Sequence, residues 1–534
     1  MAAFTYPGVY IEEIPSGVHT ITGVATSIAA FIGWANMGPT DRAVLVQSWS
    51  DFENQFGGLT SSNGTPNYLG YAVNQFFGNG GNQAYIVRLV ANAAVVAANA
   101  GDTLSVEASV PIPGGGGTAF TATAIDEGQW ANTVYGIRIV NNPSIANRFS
   151  LLVVYTPSGG QETTLETFPN LSIDPSDPLG RSVTSVVNDP RTGSQIIQIS
   201  GVTANQPTPN PLTVPPGTGP YALGAGAGSV SGVDGTVLQP GVNDFHTALD
   251  AGVGGTVGVH LLDTVPIFNL LCVPGETDST TITELQAYCH GQRAFYIVDS
   301  ASNDSFTSLQ TGPGNITGVN SINSAFYFPW INAPDPLQQG RINRFPPCGF
   351  VAGLYAATDA SRGVWKAPAG IDASLTGESG PAVLLTDLQN GTLNVQAINC
   401  IRHFPVYGDV IWGSRTLRGN DQVGSEWKYV PIRRLALFLE SSLYNGTQWV
   451  VFEPNDERLW SQIRLNVGAF MQGLFLQGAF QGTTPQQAYF VKCDSENNPQ
   501  SSIDQGIVNI LVGFAPLYPA EFVVIQIQQM AGQV

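Results

Sequence analysis

Charge is scarce in this 534-residue chain: Asp, Glu, Lys and Arg make up only 11% of it. A chain this poor in charge lacks the composition of a disordered one, which needs high charge and few apolar residues. Cations are scarcer still, 20 Lys and Arg against 39 Asp and Glu for a net charge of −19. That balance excludes the basic footprint of a nucleic-acid binder. Cysteine is rare, and Cys272, Cys289, Cys348, Cys400 and Cys493 are scattered without a CxxC pair. Neither a zinc site nor a redox motif follows from that spacing, and buried free thiols are expected. There is no Gly-Lys dipeptide, hence no P-loop, and neither HExxH nor GxSxG occurs. The histidines show no ligand spacing, so neither a metal nor a cofactor is expected. The first residues have no basic stretch followed by an apolar one, and the apolar segment 21–35 is broken by Thr22, Gly23, Thr26, Ser27 and Gly33. Assembly in the cytoplasm without a signal peptide and without membrane insertion is the expectation.

Glycine (61) and proline (36) are plentiful and punctuate the chain into short segments. The length corresponds to roughly three to four domains. Residues 1–20 read as an arm: Val9, Tyr10, Ile11, Glu12, Glu13 and Ile14 alternate between Pro7-Gly8 and Pro15 like a strand with no local sheet. Residues 21–95 mix short strands with a helix capped by Ser50, with Glu53 completing a capping box and Gly57 ending it. Residues 96–239 read as a β-rich, loop-heavy peripheral insertion. Residues 240–375 read as an α/β domain, where strand 266–274, helix 281–291 and strand 294–299 make a βαβ unit. Residues 376–520 read as an α+β C-terminal domain. It has strands at 395–404 and 409–417, a helix from Pro431 and another capped by Asn455. Residues 521–534 form a second arm, in which Phe522, Val523, Val524, Ile525, Gln526 and Ile527 alternate without an obvious partner. The fold class is therefore mixed α/β and α+β, multidomain.

Few residues invite a chemical reading. Cys289 and His290 are adjacent, so they point apart on a helix and read as ordinary packed side chains. The Gly-Ala alternation at 224–228 follows a proline-rich stretch rather than a strand and reads as a loop. Asp263 and Asp299 are placed at strand ends, where capping is the simpler duty. Arg415, Arg418, Arg433 and Arg434 are the noticeable basic clusters, and a solvated face is the plain reading beside a binding role. Charge is split: residues 1–380 hold 11 basic and 27 acidic residues for −16, and 381–534 hold 9 and 12 for −3.

Ordered motifs carry a resemblance. YPGVYIEEIPSG at the start, ITGVATSIAAFIGWANMG (21–38) and VQSWSDFENQFGG (46–58) come first. Later follow GVWKAPAG (363–370), LTDLQNGTLN (385–394), INCIRHFP (398–405), VIWGSRTL (410–417) and EWKYVPIRRL (426–435). GTQWVVFEPNDERLW (446–460), VGAFMQGLFLQGAFQG (467–482), FVKCD (490–494) and GIVNILVGFAPLYPAEFVVIQIQQ (506–529) complete the series. In this order they resemble the contractile tail sheath proteins of phages and phage-tail-like injection systems, over 1–90 and about 240–534.

That resemblance implies a structural protein, not an enzyme. Its middle domain would be subtilisin-like in fold only, since no Ser/His/Asp set matches. It implies a homo-oligomer of stacked hexameric rings wound helically around an inner tube protein, with baseplate and terminal cap proteins as further partners. Contraction drives the tube outward, and the particle is either released or cell-anchored. The two orphan strands match arms that add strands to a neighbour's C-terminal sheet. The near-neutral C-terminal part matches the tube-facing layer, with Arg415, Arg418, Arg433 and Arg434 as contact candidates. An α/β hydrolase with a β-rich insertion and a static shell or surface-layer protein are the rival readings.

Overall fold

A computed structural model describes residues 19–62, 65–142, 144–210 and 219–526. The chain divides into two compact units. The larger comprises Ser27–Thr358 and Pro368–Lys428; the smaller comprises Asp359–Ala367, Tyr429 onward and the residues up to Thr26.

The larger unit is built on an eight-stranded sheet. Its spatial order runs Gly408–Ile411, Ile398–Phe404, Ser324–Phe328, Phe295–Asp299, Leu270–Cys272, Ala29–Trp34, Ala84–Leu89, Val44–Val46. The six inner strands are parallel, and both edge strands run antiparallel to their neighbours. Inner strands such as Ala29–Trp34 and Phe295–Asp299 are buried along their whole length, which explains why they read as continuous apolar runs rather than alternating ones. Leu271, Tyr296, Val298, Phe326 and Cys400 contribute to one core beneath the sheet.

Several boundaries shift from the sequence reading. The first helix is Trp49–Phe56, capped by Ser48, whose side chain accepts from the Asp51 amide; Ser50 lies inside it. Gly57, at φ 83°, ends it. The helix Ser279–Gln292 starts from Asp278. Two further helices, Tyr68–Gly78 and Cys348–Arg362, were not anticipated: the first is buried nearly all round and the second over Cys348 to Ala356, so neither shows a clear apolar stripe. The largest correction concerns residue 376. The strands Ile398–Phe404 and Gly408–Ile411 continue the central sheet, since Phe326 and Phe328 pair in register with Ile398 and Cys400. The second of these strands ends at Ile411, well short of 417.

Residues 96–239 hold a four-stranded and a three-stranded antiparallel sheet. Phe120, Ile139, Phe149, Leu151 and Val153 form a core of their own between them. The chain enters and leaves this region at one place: the Thr103 amide donates to Thr236 Oγ1 (2.9 Å) and the Thr236 amide to the Thr103 carbonyl (2.9 Å).

The smaller unit packs the helices Val430–Gly446 and Glu457–Leu476 with a two-stranded hairpin, Tyr489–Lys492 and Leu511–Phe514. Asp456, not Asn455, caps the second helix and accepts from the Leu459 amide; Asn455 instead accepts from the Trp460 indole (2.8 Å). Leu435, Leu439, Trp460, Ile463, Val467 and Leu474 fill the core, along the three-and-four spacing seen in the sequence. Residues 19–26 lie on the first helix. A Cβ at Gly446 would stand 2.6 Å from Ile21, so only glycine admits this approach.

Candidate assembly interface

The carboxyl ends of parallel strands are where α/β proteins hold ligands, at the point where strand order reverses. Here that point lies between Ala29–Trp34 and Leu270–Cys272. The chain fills it with Leu238, Gln239, Pro240 and Phe245, leaving a cavity of about 10 Å³. A ligand pocket needs hundreds of cubic ångströms. Nearby, Asp299 is buried and accepts from the Gly275 amide (3.0 Å) and the Cys348 amide (2.8 Å). Burial pushes its carboxyl up to about 7. Asp263 does not end a strand; it lies in the 3-10 turn Gly258–Thr264, where it accepts from Tyr288 and Gln292. Cys289 is buried while His290 points to solvent.

The smaller unit, by contrast, is left open. No third strand among the described residues joins its hairpin. Phe490 and Leu511 are each 53% exposed. Beyond it, Phe522, Val523, Val524 and Ile525 are 75–81% exposed and belong to no strand, as does Gln526. A two-stranded ribbon is marginal in water, and an exposed apolar run with strand alternation pairs with any free edge. Val9, Tyr10, Ile11, Glu12, Glu13 and Ile14 lie outside the described residues, as does Ile527.

The four arginines are not a solvated face. Arg434 pairs with Asp359 at 2.6 Å, both side chains 3% exposed, and also donates to the Thr26 carbonyl. Arg433 pairs with Glu440 at 3.2 Å, and burial lowers its pKa. Arg415 Nη1 donates to Asn394 and Gly419 carbonyls and to Asp421 (3.1 Å). Arg418 is half-buried and donates to the Thr317 carbonyl (3.0 Å). A buried guanidinium is tolerable only with such partners, so Arg415, Arg433 and Arg434 are committed within the chain. Asp359 lies 75 residues from Arg434, and no local pattern announces that pair.

One feature escaped the sequence reading. Between the two helices of the smaller unit, Phe452 is fully exposed (101%) at φ 71°, and Val451 beside it is 60% exposed. A positive φ costs a bulky residue about 1–2 kcal/mol. The loop is braced on both sides, by Thr447 and Gln448 bonded to Leu443 and Tyr444, and by Asn455 donating to the Ile507 carbonyl. The motif WVVFEPND contains this residue, but nothing in its letters says that the ring faces outward.

Comparison with known proteins places the chain in context. Two family models match: phage tail sheath protein central domain over residues 266–417, and phage tail sheath C-terminal domain over 422–530. The tail sheath protein of Vibrio phage KVP40 is 30% identical over 166 residues, 30% of this chain and 23% of that relative. A putative prophage major tail sheath protein of Pseudomonas aeruginosa is 29% identical over 181 residues, 33% of this chain and 44% of the relative. The matched segments thus span less than half of these curated relatives' own lengths. The helical sheath of the anti-feeding prophage in its contracted state superposes with a TM-score of 0.55 at 22% identity, covering 99% of this chain and 100% of that one.

Proposed function

Because this chain belongs to the contractile tail sheath family, we propose that it is the sheath subunit of a phage tail or phage-tail-like injection particle. It polymerises as stacked hexameric rings around an inner tube and contracts to drive that tube through a target envelope. It is a mechanical element and not an enzyme. The observation that carries the reading is the pairing of an unfinished hairpin with an unpaired apolar tail at 522–525 in one unit. Strand donation between copies satisfies both, and a head-to-tail link that does not close builds a filament. The arm strands proposed are Val9 to Ile14 and Phe522 to Ile527. The filled crevice in the parallel sheet argues against the hydrolase alternative.

The near-neutral C-terminal part is proposed to face the tube. Of the four arginines suggested for that contact, only Arg418 retains enough accessibility to reach a partner. Baseplate and cap proteins would close the two ends. Residues 96–239, with their own core and a single crossing point, are proposed as a peripheral module. Negative-stain microscopy of the purified chain tests the reading. Tubes of uniform width are expected; flat lattices or monomers at every concentration would overturn it.

A further inference from the structure

We infer that Phe452 is a preformed anchor that seats in a cleft on the larger unit of a second copy of this chain. This rests on the polymer reading above and names a contact separate from the arms.

The knob has three properties of an anchor. Its ring is fully exposed, its backbone is held in a left-handed conformation by bracing on both sides, and Val451 extends its apolar surface. A rigid aromatic that is already ordered loses little freedom when it binds. Glu453 follows it directly and is exposed, with no ion pair among the described residues. Its partner must therefore offer a slot with an aromatic floor for the ring, polar walls and a cation at the rim.

The larger unit carries such a slot. An open cleft of about 430 Å³ is lined by Tyr68, Trp330, Asn332, Ile342, Asn343 and Arg344. Tyr68 and Trp330 meet edge to face at 5.3 Å and make its floor, and Ile342 is 49% exposed. Arg344 and its neighbour Arg341 are exposed and make no ion pair among the described residues, in a chain whose net charge is −19. The cleft is large enough for a phenyl ring, and Arg344 on its wall complements Glu453. Knob and slot lie on different units of the same sequence, so each copy offers one of each to its neighbours. Such a contact is heterologous and extends a polymer.

The test uses the full chain, assembled without any tube protein and followed by sedimentation. Phe452→Ala should raise the concentration needed for assembly at least tenfold while leaving the melting temperature unchanged, because the ring is fully exposed among the described residues. Glu453→Arg and Arg344→Glu should each weaken assembly, and together restore it to within about twofold of the unmodified chain. Phe452→Cys with Ile342→Cys should form a cross-link between copies, since the five native cysteines are buried. Assembly of Phe452→Ala at the unmodified concentration overturns the inference and leaves the polymer reading intact. A double charge reversal no better than the worse single change overturns it too. Loss only when a tube is present would assign the knob to the tube instead. Unmodified protein that stays monomeric defeats both readings.

Discussion

The eight-stranded sheet and the two-stranded hairpin treat their edges in opposite ways. One edge of the large sheet is a strand of only three residues, Val44–Val46. The other, Gly408–Ile411, is covered by residues 370–375, through bonds from Gly370 to Ile411 (2.9 Å) and from Leu375 to Asp409 (2.8 Å). Short and covered edges discourage pairing with other chains. The hairpin's strands are also short, but no third strand among the described residues joins them, and they lie in the unit that also carries the exposed apolar tail. The first region folds to completion by itself; the second is the one proposed above to be completed by another copy.

Removing residues 522–534 should break that contrast most visibly. Polymer is expected to disappear while circular dichroism and melting temperature stay close to those of the full chain, since residues 522–526 are exposed. Tubes of normal yield from the truncated chain would remove the tail from the assembly mechanism.

Next in size is Asp359→Ala. It strands the buried Arg434 guanidinium, and breaking such a pair costs about 3–5 kcal/mol. The smaller unit should melt first and at a much lower temperature, visible in calorimetry as a separated transition. Melting unchanged within a degree or two would show that Arg434 finds water or another acceptor.

A milder change is replacement of residues 104–235 by a short Gly/Ser linker. Thr103 and Thr236 already touch, so closure costs little chain entropy. The main loss is at Arg88, which is buried and donates to the carbonyls of Ala35 (2.7 Å), Gly38 (2.6 Å) and Glu127 (2.9 Å). Losing the last should cost about 1–3 kcal/mol, with assembly retained. Aggregation of that variant during expression would show that the module belongs to the core.

The smallest effect sharpens the closed side of the comparison. Asp299 titrates at 3.8 when free and is raised to about 7 by burial. The folded state therefore holds its proton more tightly than the unfolded one. Its stabilisation is complete below 3.8 and is lost as pH rises to about 7. Gly275 and Cys348 donate to different carboxylate oxygens, so Asp299→Asn keeps an acceptor for only one of them and lowers stability at every pH. It should nevertheless flatten the fall in melting temperature between about pH 4 and 7. An unchanged slope would assign that fall to other groups.

Much of the architecture could be read from the letters, for identifiable reasons. The helices from Val430 and Glu457 announce themselves by apolar spacing, and their caps fall within a residue or two. The β-rich character of 96–239 was legible from its short apolar segments between turn residues, of which Phe149–Tyr155 is one strand. The strand order was hidden, because parallel neighbours such as Phe326 and Ile398 are 72 positions apart and no local pattern links them. For the same reason, the domain boundary at 376 misses the strands that return to the sheet. The arginines misled because Arg433 and Arg434 look like a polar helix face, whereas Glu440 and Asp359 draw them inward. The apolar tail was conspicuous because alternation beyond Pro519 had nowhere to go. Phe452 was not, since exposure of a large ring is the reverse of what its chemistry suggests.

The seat of residues 19–26 on the helix Val430–Gly446 has a mechanical consequence. Ile21 rests against Gly446, the Val24 amide donates to Ser442 (3.2 Å), and Arg434 holds the Thr26 carbonyl (2.8 Å). His19 stacks on Trp449 at 4.1 Å. A pull arriving at residue 19 from upstream meets these four attachments, three along the helix and one at Trp449 just beyond it, before it reaches the strand that starts at Ala29. The segment works as a strain relief, like the clamp where a cable enters its housing: tension is taken up by the smaller unit, and the large sheet is spared it.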